Sequence, residues 1–335
     1  MNILFELSKE HSTLPRAEVL TCLHAEDIPY TVVETNDNVL VIKSFVLERR
    51  LTRLATRLSH TFYIDELLCS CPPSPAEINH CMEQQVLQRK GSIAVRGKNR
   101  STIIDSQPIL DIIADRYTSG RTVRLQHPDI EIRVFITDNI VYIGRKISQI
   151  QRNQFEQRKV QHRPFFSPIS LHPKLARALV NLSCIRPGET LLDPFCGTGG
   201  ILLEAGLLGA QLVGNDIEKK MITGCKETLE FYNIKKYTLF CSDIGNLNHY
   251  ETHVDAIVTD FPYGKATTTK GEDLGQLYKR AFETMYQILK KGKRAVVGLP
   301  QREMIALGEQ YFTIQEIFAI RVHRSLTRYF VVYQK

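Results

Sequence analysis

Apolar positions in the first 70 residues recur with two spacings, which together predict short strands interleaved with two helices. Alternating apolar residues favour strands, and apolar residues three and four positions apart favour amphipathic helices. The predicted strands are residues 3–7, 30–35, 39–43 and 61–67, and the predicted helices are residues 15–24 and 46–59. This order is typical of a small α+β domain of ferredoxin-like type, which we place at residues 1–70.

Three prolines within five residues, at positions 72, 73 and 75, mark the end of this first domain. Proline continues neither a helix nor a central strand. A second α+β domain is predicted at residues 71–147, and Asp138-Asn139 suits the tight turn between its last two strands. Its predicted helices are residues 76–87 and 107–117, and its predicted strands are residues 92–98, 131–137 and 140–145. Residues 148–168 are polar and basic, which predicts a linker.

Strands and helices alternate strictly from residue 169 to residue 335, which predicts an α/β domain with a parallel, doubly wound sheet. A helix at residues 173–182 leads into the alternation, and a final pair of strands, 312–322 and 329–333, predicts an antiparallel hairpin at one edge. The alternating strands are residues 190–193, 211–215, 238–241, 256–259 and 294–299, and the helices are residues 199–208, 218–231, 275–289 and 301–307.

Composition indicates an ordinary soluble, cytoplasmic protein, with 43% hydrophobic and 24% charged residues. A membrane span needs about 18 consecutive apolar residues, which the sequence lacks, and the N-terminus does not resemble a signal peptide. The eight cysteines show no disulfide framework, so we expect reduced thiols. Cys69, Cys71 and Cys81 lie near His80, but no second Cys-x-x-Cys pair completes a zinc site, so we expect no metal.

Positive charge is concentrated in one part of the chain. The net charge is +7, and residues 86–163 carry 15 Lys/Arg against 7 Asp/Glu. Lys and Arg neutralise phosphates, so this stretch favours binding to a nucleic acid, with a solvated basic face as the alternative. Its densest part contains Arg89, Lys90, Arg96, Lys98 and Arg100, without an acidic residue between them.

A glycine-rich run, DPFCGTGG at residues 193–200, ends one predicted strand and opens the next helix. Glycine lets the backbone approach a ligand closely, and the first turn of a helix presents unpaired N–H groups. The run resembles the first motif of the class I methyltransferases, in which the loop holds the methionine part of S-adenosylmethionine. The resemblance implies cofactor contacts for Asp193, Pro194, Cys196, Gly197 and Gly199.

Acidic residues also end the next two predicted strands. Asp216 follows Gly199 by 17 residues, where a carboxylate can accept hydrogen bonds from both ribose hydroxyls, although an N-cap role fits as well. In the same methyltransferases an Asp after the third strand accepts from the adenine amine, which implies that role for Asp243. Ile217 and Ile244, the apolar residues that follow, complete the expected cofactor-binding set together with Asp260.

The run DFPY at residues 260–263 resembles the (D/N)-P-P-(Y/F/W) motif of amino-methyltransferases that act on nucleic acids. The exocyclic amine of a base is a poor nucleophile, because its lone pair is delocalised into the ring. The Asp260 carboxylate and a backbone carbonyl of Phe261 or Pro262 can accept its two N–H groups, and Tyr263 can stack on the base. These four residues form the expected catalytic set, with Phe261 in place of the usual proline.

The order of the domains resembles the family of tRNA guanosine N2-methyltransferases that act at position 10 of tRNA, over nearly the whole chain. In that family a ferredoxin-like domain precedes a THUMP domain, an RNA-binding module, and residues 125–134 resemble the end of a THUMP domain. The resemblance implies that the THUMP domain grips tRNA and that the target guanosine is flipped out. The expected tRNA-binding residues are Arg89, Lys90, Arg96, Lys98, Arg100, Arg158, Arg163, Arg324 and Arg328.

Three other functions fit parts of the sequence. One is N2-methylation of guanosine at another tRNA position or in ribosomal RNA, which the motifs barely separate. A DNA adenine amino-methyltransferase shares the Asp-x-Pro-Tyr pattern, but the sequence lacks a DNA target-recognition region. An RNA-binding protein with an inactive methyltransferase fold is the third.

The strand at residues 237–241, YTLFC, is apolar and uncharged. In the usual methyltransferase order it lies at the sheet edge, and an exposed edge of this kind is a pairing site. Relatives of the resembled family bind a small zinc-containing activator subunit there, so we expect such a partner to pair with Tyr237-Cys241.

Overall fold

A computed structural model of the protein describes residues 1–83, 85, 87, 89–165, 170–249, 253–262, 273–323 and 326–335. None of the helices in these ranges has both the length and the apolar character that a membrane crossing requires.

The elements up to residue 150 include each strand that the sequence predicted there. The strands are β1 (Asn2–Leu7), β2 (Thr31–Thr35), β3 (Val39–Lys43), β4 (Thr61–Cys71), β5 (Ile93–Asn99), β6 (Ile130–Ile136) and β7 (Val141–Gln149). The helices are α1 (Leu14–Ala25), α2 (Glu48–Ala55), α3 (Pro75–Glu83) and α4 (Gln107–Thr118). The antiparallel pair β6–β7 confirms the hairpin predicted at Asp138-Asn139.

The rest of the chain alternates as predicted and adds one helix inside the expected linker. The helices are α5 (Asn153–Gln157), α6 (Pro173–Leu182), α7 (Gly200–Gly206), α8 (Lys219–Phe231), α9 (Leu274–Ile288) and α10 (Ile305–Glu309). The strands are β8 (Thr190–Asp193), β9 (Gln211–Asp216), β10 (Tyr237–Cys241), β11 (Val254–Asp260), β12 (Leu289–Leu299), β13 (Thr313–His323) and β14 (Leu326–Gln334).

The chain forms two compact units, and the first consists of residues 1–9, 28–56 and 61–150. A single seven-stranded sheet runs through it, in the order β2-β3-β1-β4-β7-β6-β5. The boundary predicted between residues 70 and 71 falls within β4, which pairs with β1 on one side and with β7 on the other. The strands of the two predicted N-terminal domains therefore share one hydrogen-bonded sheet instead of forming two.

The second unit consists of residues 10–27, 57–60 and 151–335. It includes α1, which the sequence analysis placed in the first domain, because Leu14 and Ala17 of α1 join the same core as Ala176 and Leu179 of α6. The apolar face of α1 is thus part of the core of the second unit. This placement corrects the predicted domain boundaries.

The sheet of the second unit has the order β10-β9-β8-β11-β12-β14-β13. The first five strands are parallel, and β14 is antiparallel to both β12 and β13. This arrangement confirms the doubly wound sheet with a terminal hairpin, and it places β10 at an edge.

The expected linker at residues 148–168 is a packed part of the second unit. Phe155 of α5 is buried, and Arg158 donates to the Glu204 carboxylate from both Nε (2.8 Å) and Nη2 (3.0 Å). Arg177 contacts the same carboxylate at 2.8 Å, and Arg163 is also buried. The two linker arginines predicted to bind RNA therefore lie inside the protein. Arg158 forms a buried ion pair with Glu204, and Arg163 donates to the Arg158 carbonyl beside it.

Cys69 and Cys81 form a disulfide between β4 and α3, which corrects the expectation of reduced thiols at these positions. The turn after β4 folds α3 back against the strand, so the two Cα atoms lie 6.1 Å apart. The two cysteines are 12 residues apart in the sequence, and this spacing alone did not identify them as a disulfide pair.

Replacing Glu204 by Gln should strongly destabilise the second unit. Glu204 is fully buried between Arg158 and Arg177, and removing one partner of a buried ion pair costs about 3–5 kcal/mol. Urea unfolding measures this loss. The control is Lys226→Gln, which removes an exposed ion pair to Glu230 and should cost less than about 1 kcal/mol. Equal effects of the two substitutions would contradict the buried pairing.

Candidate functional site

Four parallel strands end at the same edge of the second sheet, and each end carries a residue from the predicted site. Asp193 ends β8, Asp216 ends β9, Asp243 follows β10, and Asp260 ends β11. Ligands of open α/β sheets bind outside the carboxyl ends of the strands. The fold therefore brings the four acidic residues to the edge where a ligand is expected.

The glycine-rich loop between β8 and α7 has the conformation that its sequence requires. Gly197 and Gly199 have φ values of 49° and 80°, in the left-handed region that favours glycine. A Cβ on Gly199 would lie 2.7 Å from the sulfur of Cys225. A Cβ on Gly197 would meet no heavy atom of the described residues within 4 Å, so the backbone there is open to a ligand.

Asp216 holds this loop in place. Its Oδ2 accepts from the Gly197 N–H at 3.0 Å, and its Oδ1 accepts from the Glu218 N–H at 2.9 Å. The second contact closes the turn just before α8, whose N-cap is Glu218, so the alternative N-cap role for Asp216 is wrong. Burial raises the pKa of the Asp216 carboxyl above its ordinary value.

Asn215 connects two of the loops, and the sequence analysis did not select it. Its buried amide donates to the carbonyl oxygens of Pro194 (3.3 Å) and Ser242 (3.1 Å). Its Oδ1 accepts from the Ser242 N–H at 3.2 Å and from the Ser242 hydroxyl at 3.0 Å. A buried amide with all these partners fixes the loops after β8 and β10 relative to each other. The available signal was a polar residue directly before Asp216, near the end of β9.

Asp193 is buried, and desolvation raises the pKa of its carboxyl to about 7, with a further contribution from Asp216. The Asp193 Oδ1 accepts from the Phe195 N–H at 3.2 Å. Hydrogen bonds from Thr259 and from the Phe195 N–H lower this pKa but do not offset the effect of burial, so a cationic group would further stabilise the charged form.

Asp243 is held by an arginine that the sequence analysis missed. Its carboxylate accepts from Arg280 of α9 at 2.7 and 3.3 Å and from the Gly245 N–H at 2.8 Å. Ile244 is buried and packs in the hydrophobic core next to Asp243, whereas Ile217 is half-buried beside Asp216. Arg280 lies 37 residues after Asp243, so only the fold reveals the pairing.

Asp260 is fixed by the register of three neighbouring strands. It pairs with Gly298 of β12, and Gly298 pairs with Phe330 of β14. Arg328 of β14 forms an ion pair with the Asp260 carboxylate through both terminal nitrogens. The Arg328 side chain is 3% exposed, and that of Asp260 is 18% exposed. Arg328 is therefore inside the protein and paired, which corrects its predicted position in an RNA-facing loop.

The surroundings of Phe261 account for the presence of phenylalanine where the usual motif has proline. Its side chain is buried against Phe195, Tyr278 and Phe282, with ring centroids 5.2, 4.8 and 5.2 Å away. Its N–H donates to the Gly298 carbonyl at 3.0 Å, a hydrogen bond that a proline could not make. The Phe side chain therefore anchors the loop in an aromatic core. The carbonyl of the next residue, Pro262, accepts from the Tyr278 hydroxyl.

The predicted tRNA-binding residues fall into two groups, exposed and buried. Arg89, Lys90, Arg96 and Lys98 are exposed, although Arg89 pairs with Glu48 and Arg96 with Glu131. Arg100 is mostly buried, because it donates to the Glu6 carboxylate at 3.1 Å and stacks on Phe135. Arg100 joins Arg158, Arg163 and Arg328 as an internal residue instead of a surface contact. Tyr263 and Arg324 lie outside the described residues.

A family model described as the RMKL-like methyltransferase domain matches residues 160–329. A tRNA (guanine(10)-N2)-dimethyltransferase of Methanothermobacter thermautotrophicus is 34% identical over 333 residues, which cover 98% of each chain. The chain belongs to the tRNA guanine N2-methyltransferase family. A family member with the same description from Pyrococcus abyssi is 39% identical over 219 residues, covering 64% of this chain and 65% of its own. A second model, described as a DNA methylase, matches residues 80–227.

Solved structures confirm the fold of this family member. TrmN from Thermus thermophilus matches with a TM-score of 0.57 and 18% identity over 100% of both chains. A possible methylase from Clostridium difficile also has a TM-score of 0.57, with 15% identity over 100% of this chain and 98% of its own. Within the described ranges, no group of three or more His, Cys, Asp or Glu side chains is placed to hold a metal ion.

The raised pKa of Asp193 should make the stability of the ligand-free protein fall with pH. Between about pH 4, the ordinary value, and pH 7 the folded protein binds a proton that the unfolded chain has lost. The free energy of unfolding therefore decreases across this window, by about 1.4 kcal/mol per unit of pKa shift, and levels off above it.

Urea unfolding at a series of pH values measures this change, and Asp193→Asn should abolish it. Asp255→Asn is the control, since Lys290 lowers the pKa of Asp255 and its stabilising contribution is complete in this window. An unaltered pH dependence in Asp193→Asn would contradict the assignment.

Proposed function

We propose that this protein transfers a methyl group from S-adenosylmethionine to the N2 amine of a guanosine in tRNA, at position 10. The observation that carries the proposal is the position of Asp260, which lies at the carboxyl end of β11 at the same edge as the glycine loop. The relatives that match 98% and 64% of the chain are described as tRNA (guanine(10)-N2)-dimethyltransferases. One or two methyl groups per guanosine are both compatible with this site.

The described residues fit the proposed cofactor. The open backbone at Gly197 provides room for its methionine part, and the buried carboxyl of Asp193 suits its ammonium group. Asp216 ends the next strand and Asp243 follows the one after it. In this proposal they bind the ribose and the adenine. The other residues of the expected cofactor-binding set lie in the same loops or next to them: Pro194, Cys196, Gly199, Ile217 and Ile244. When bound, S-adenosylmethionine supplies a methyl group activated by a positively charged sulfur.

The chain's own contribution to the reaction is to orient the amine. The Asp260 carboxylate accepts one N–H of the guanine amine, and the carbonyl of Phe261 or Pro262 accepts the other. This pair of acceptors turns the nitrogen lone pair toward the methyl group, and correct placement of reactants can contribute about 7–11 kcal/mol. Tyr263 stacks on the base, which adds about 1–3 kcal/mol.

Exposed basic side chains on the first unit bind the tRNA backbone in this proposal. Arg89, Lys90, Arg96 and Lys98 lie on β5 or just before it, and β5 is an edge strand of the first sheet. We assign α3, α4 and β5–β7 of the first unit to a THUMP module and β1–β4 to ferredoxin-like strands that share its sheet. The target guanosine lies within folded tRNA and must be flipped out to reach Asp260.

The other functions have weaker support. The DNA methylase match ends at residue 227, before Asp260, so the residues that would act on an amine lie outside it. N2-methylation at another tRNA position uses the same site chemistry, and mapping the modified nucleotide separates the two. A cytoplasmic location follows from a tRNA substrate.

The proposal includes a small zinc-containing activator subunit that pairs with β10. β10 is one of the two edge strands of the second sheet, and its five residues are half-buried or exposed. An unpaired edge of this composition can accept a strand from another chain. The zinc of the proposed activator subunit would belong to that subunit.

Methyl transfer to an unmodified tRNA transcript tests the function. Labelled cofactor followed by nuclease digestion and mass spectrometry should place the methyl group on N2 of guanosine 10. Asp260→Ala should abolish transfer and leave binding of S-adenosylhomocysteine intact by calorimetry. Asp255→Ala is the matched control, because Asp255 lies at the opposite end of the same strand. An active Asp260→Ala protein would refute the proposed mechanism.

Replacing Lys98 by Gln should weaken tRNA binding for all tRNAs alike. The loss of one phosphate contact should reduce the slope of log K against log salt by about 1. Filter binding at several salt concentrations measures the slope. Lys43→Gln is the control, since Lys43 is also exposed but lies on β3, near the opposite edge of the same sheet. The same slope in both variants would place the tRNA elsewhere.

A further inference from the structure

A buried arginine contacts the carboxylate that the proposed function places against the guanine amine. Arg328 lies on the C-terminal hairpin, 68 residues after Asp260, and its guanidinium contacts both oxygens of the Asp260 carboxylate. Burying a guanidinium is costly unless a partner compensates its charge. Asp260 provides that charge, so the two side chains determine each other's positions.

Three strands build the place in which the Asp260 carboxylate lies. A Cβ on Gly298 would clash with the Asp260 Oδ1 and would lie 2.8 Å from the Phe330 ring. Only a residue without a side chain therefore leaves room for the carboxylate at this point of β12. Arg328 and Phe330 are two residues apart on β14, so they lie on the same face, and the guanidinium carbon is 5.5 Å from the Phe330 ring centre.

We propose that Arg328 and Gly298 are positioning residues for the transfer reaction, because together they hold the Asp260 carboxylate in one orientation toward the amine. A carboxylate has about four acceptor sites, so a bidentate arginine leaves sites for an amine N–H. This inference rests on the proposed role of Asp260. It extends that role by saying what keeps the acceptor in place and why the hairpin is part of the site.

The charge of the pair also limits what Arg328 can do. Its side chain is 3% exposed and its charge is balanced by Asp260, so it is poorly placed to neutralise a phosphate on the surface. Burial lowers the pKa of Arg328 to about 10, which leaves the guanidinium charged at neutral pH. It therefore acts through Asp260, in contrast to an arginine that binds RNA directly.

Steady-state kinetics on an unmodified tRNA transcript distinguish the two roles. Arg328→Gln should lower kcat on the order of 100-fold, since small displacements of a reacting group cost about that much, with KM for tRNA nearly unchanged. Arg328→Lys, which keeps the charge without the planar fork, should recover part of the rate. The control is Arg321→Gln, which removes an exposed arginine from the same hairpin and should leave kcat unchanged.

A double-mutant cycle with Asp260→Asn provides the decisive readout. If Arg328 acts through Asp260, adding Arg328→Gln to Asp260→Asn should change kcat by less than about threefold. A full additional loss of about 100-fold would overturn the proposal. A raised KM for tRNA with an unchanged kcat would also overturn it, since that result identifies a direct RNA contact.

Gly298→Ala tests the same idea without removing a charge. The new methyl group would displace the carboxylate, so kcat should fall while binding of S-adenosylhomocysteine is retained. A Gly298→Ala protein with full activity would overturn the part assigned to Gly298.

Crystal structures keep this inference separate from the proposed function. In Arg328→Gln the Asp260 side chain should leave its position against Gly298, whether or not the protein methylates tRNA. An unmoved carboxylate would refute positioning by Arg328. An inactive wild-type protein in which the carboxylate depends on Arg328 would refute only the proposed substrate.

Discussion

The register of β11, β12 and β14 is the constraint on which the candidate site depends. It places Asp260 beside Gly298 and Gly298 beside Phe330, and with them the Arg328 ion pair. A slip of one residue in any of these strands would turn the side chains to the opposite face of the sheet. The buried pair in turn disfavours such a slip, since it would separate two charges that have little access to water. The antiparallel hairpin at the sheet edge therefore contributes to the site as well as to the fold.

Buried polar groups perform the same task at the other strand ends. Asn215 connects the glycine loop with the loop after β10, Asp216 holds the Gly197 N–H, and Arg280 holds Asp243. Each is a short contact between segments that are distant in sequence, and each fixes a group expected to face the cofactor. The raised pKa of Asp193 shows the opposite case, a carboxyl for which the ligand-free protein provides little compensation. Asn215, Asp216 and Arg280 therefore hold the loops in place. The Asp193 carboxyl, whose negative charge has little compensation within the protein, is the group best suited to bind a cation.

The sequence was informative where chemistry depends on local order along the chain. The glycine loop, the acidic residues at the strand ends and the alternation of strands and helices are all local patterns, and the fold places them as predicted. Partnerships between distant residues leave no such pattern. Nothing in the sequence linked Arg158 with Glu204, Arg280 with Asp243 or Cys69 with Cys81. The domain boundaries were wrong for the same reason, because α1 packs on α6 across more than a hundred residues of intervening chain.

The arginines show most clearly why charge counts overstate a binding surface. Four of the predicted tRNA-binding residues, Arg100, Arg158, Arg163 and Arg328, are largely buried, and three of these four pair with a carboxylate. The planar guanidinium can satisfy a carboxylate with two hydrogen bonds, so arginine is the basic residue that an interior can accommodate. Lysine carries a compact and strongly hydrated charge, which keeps it at the surface. Lys90 and Lys98 are indeed exposed, as are Arg89 and Arg96 beside them. The surface that we propose for tRNA phosphates is thus narrower than the sequence suggested, because only the exposed residues on β5 and just before it remain in it.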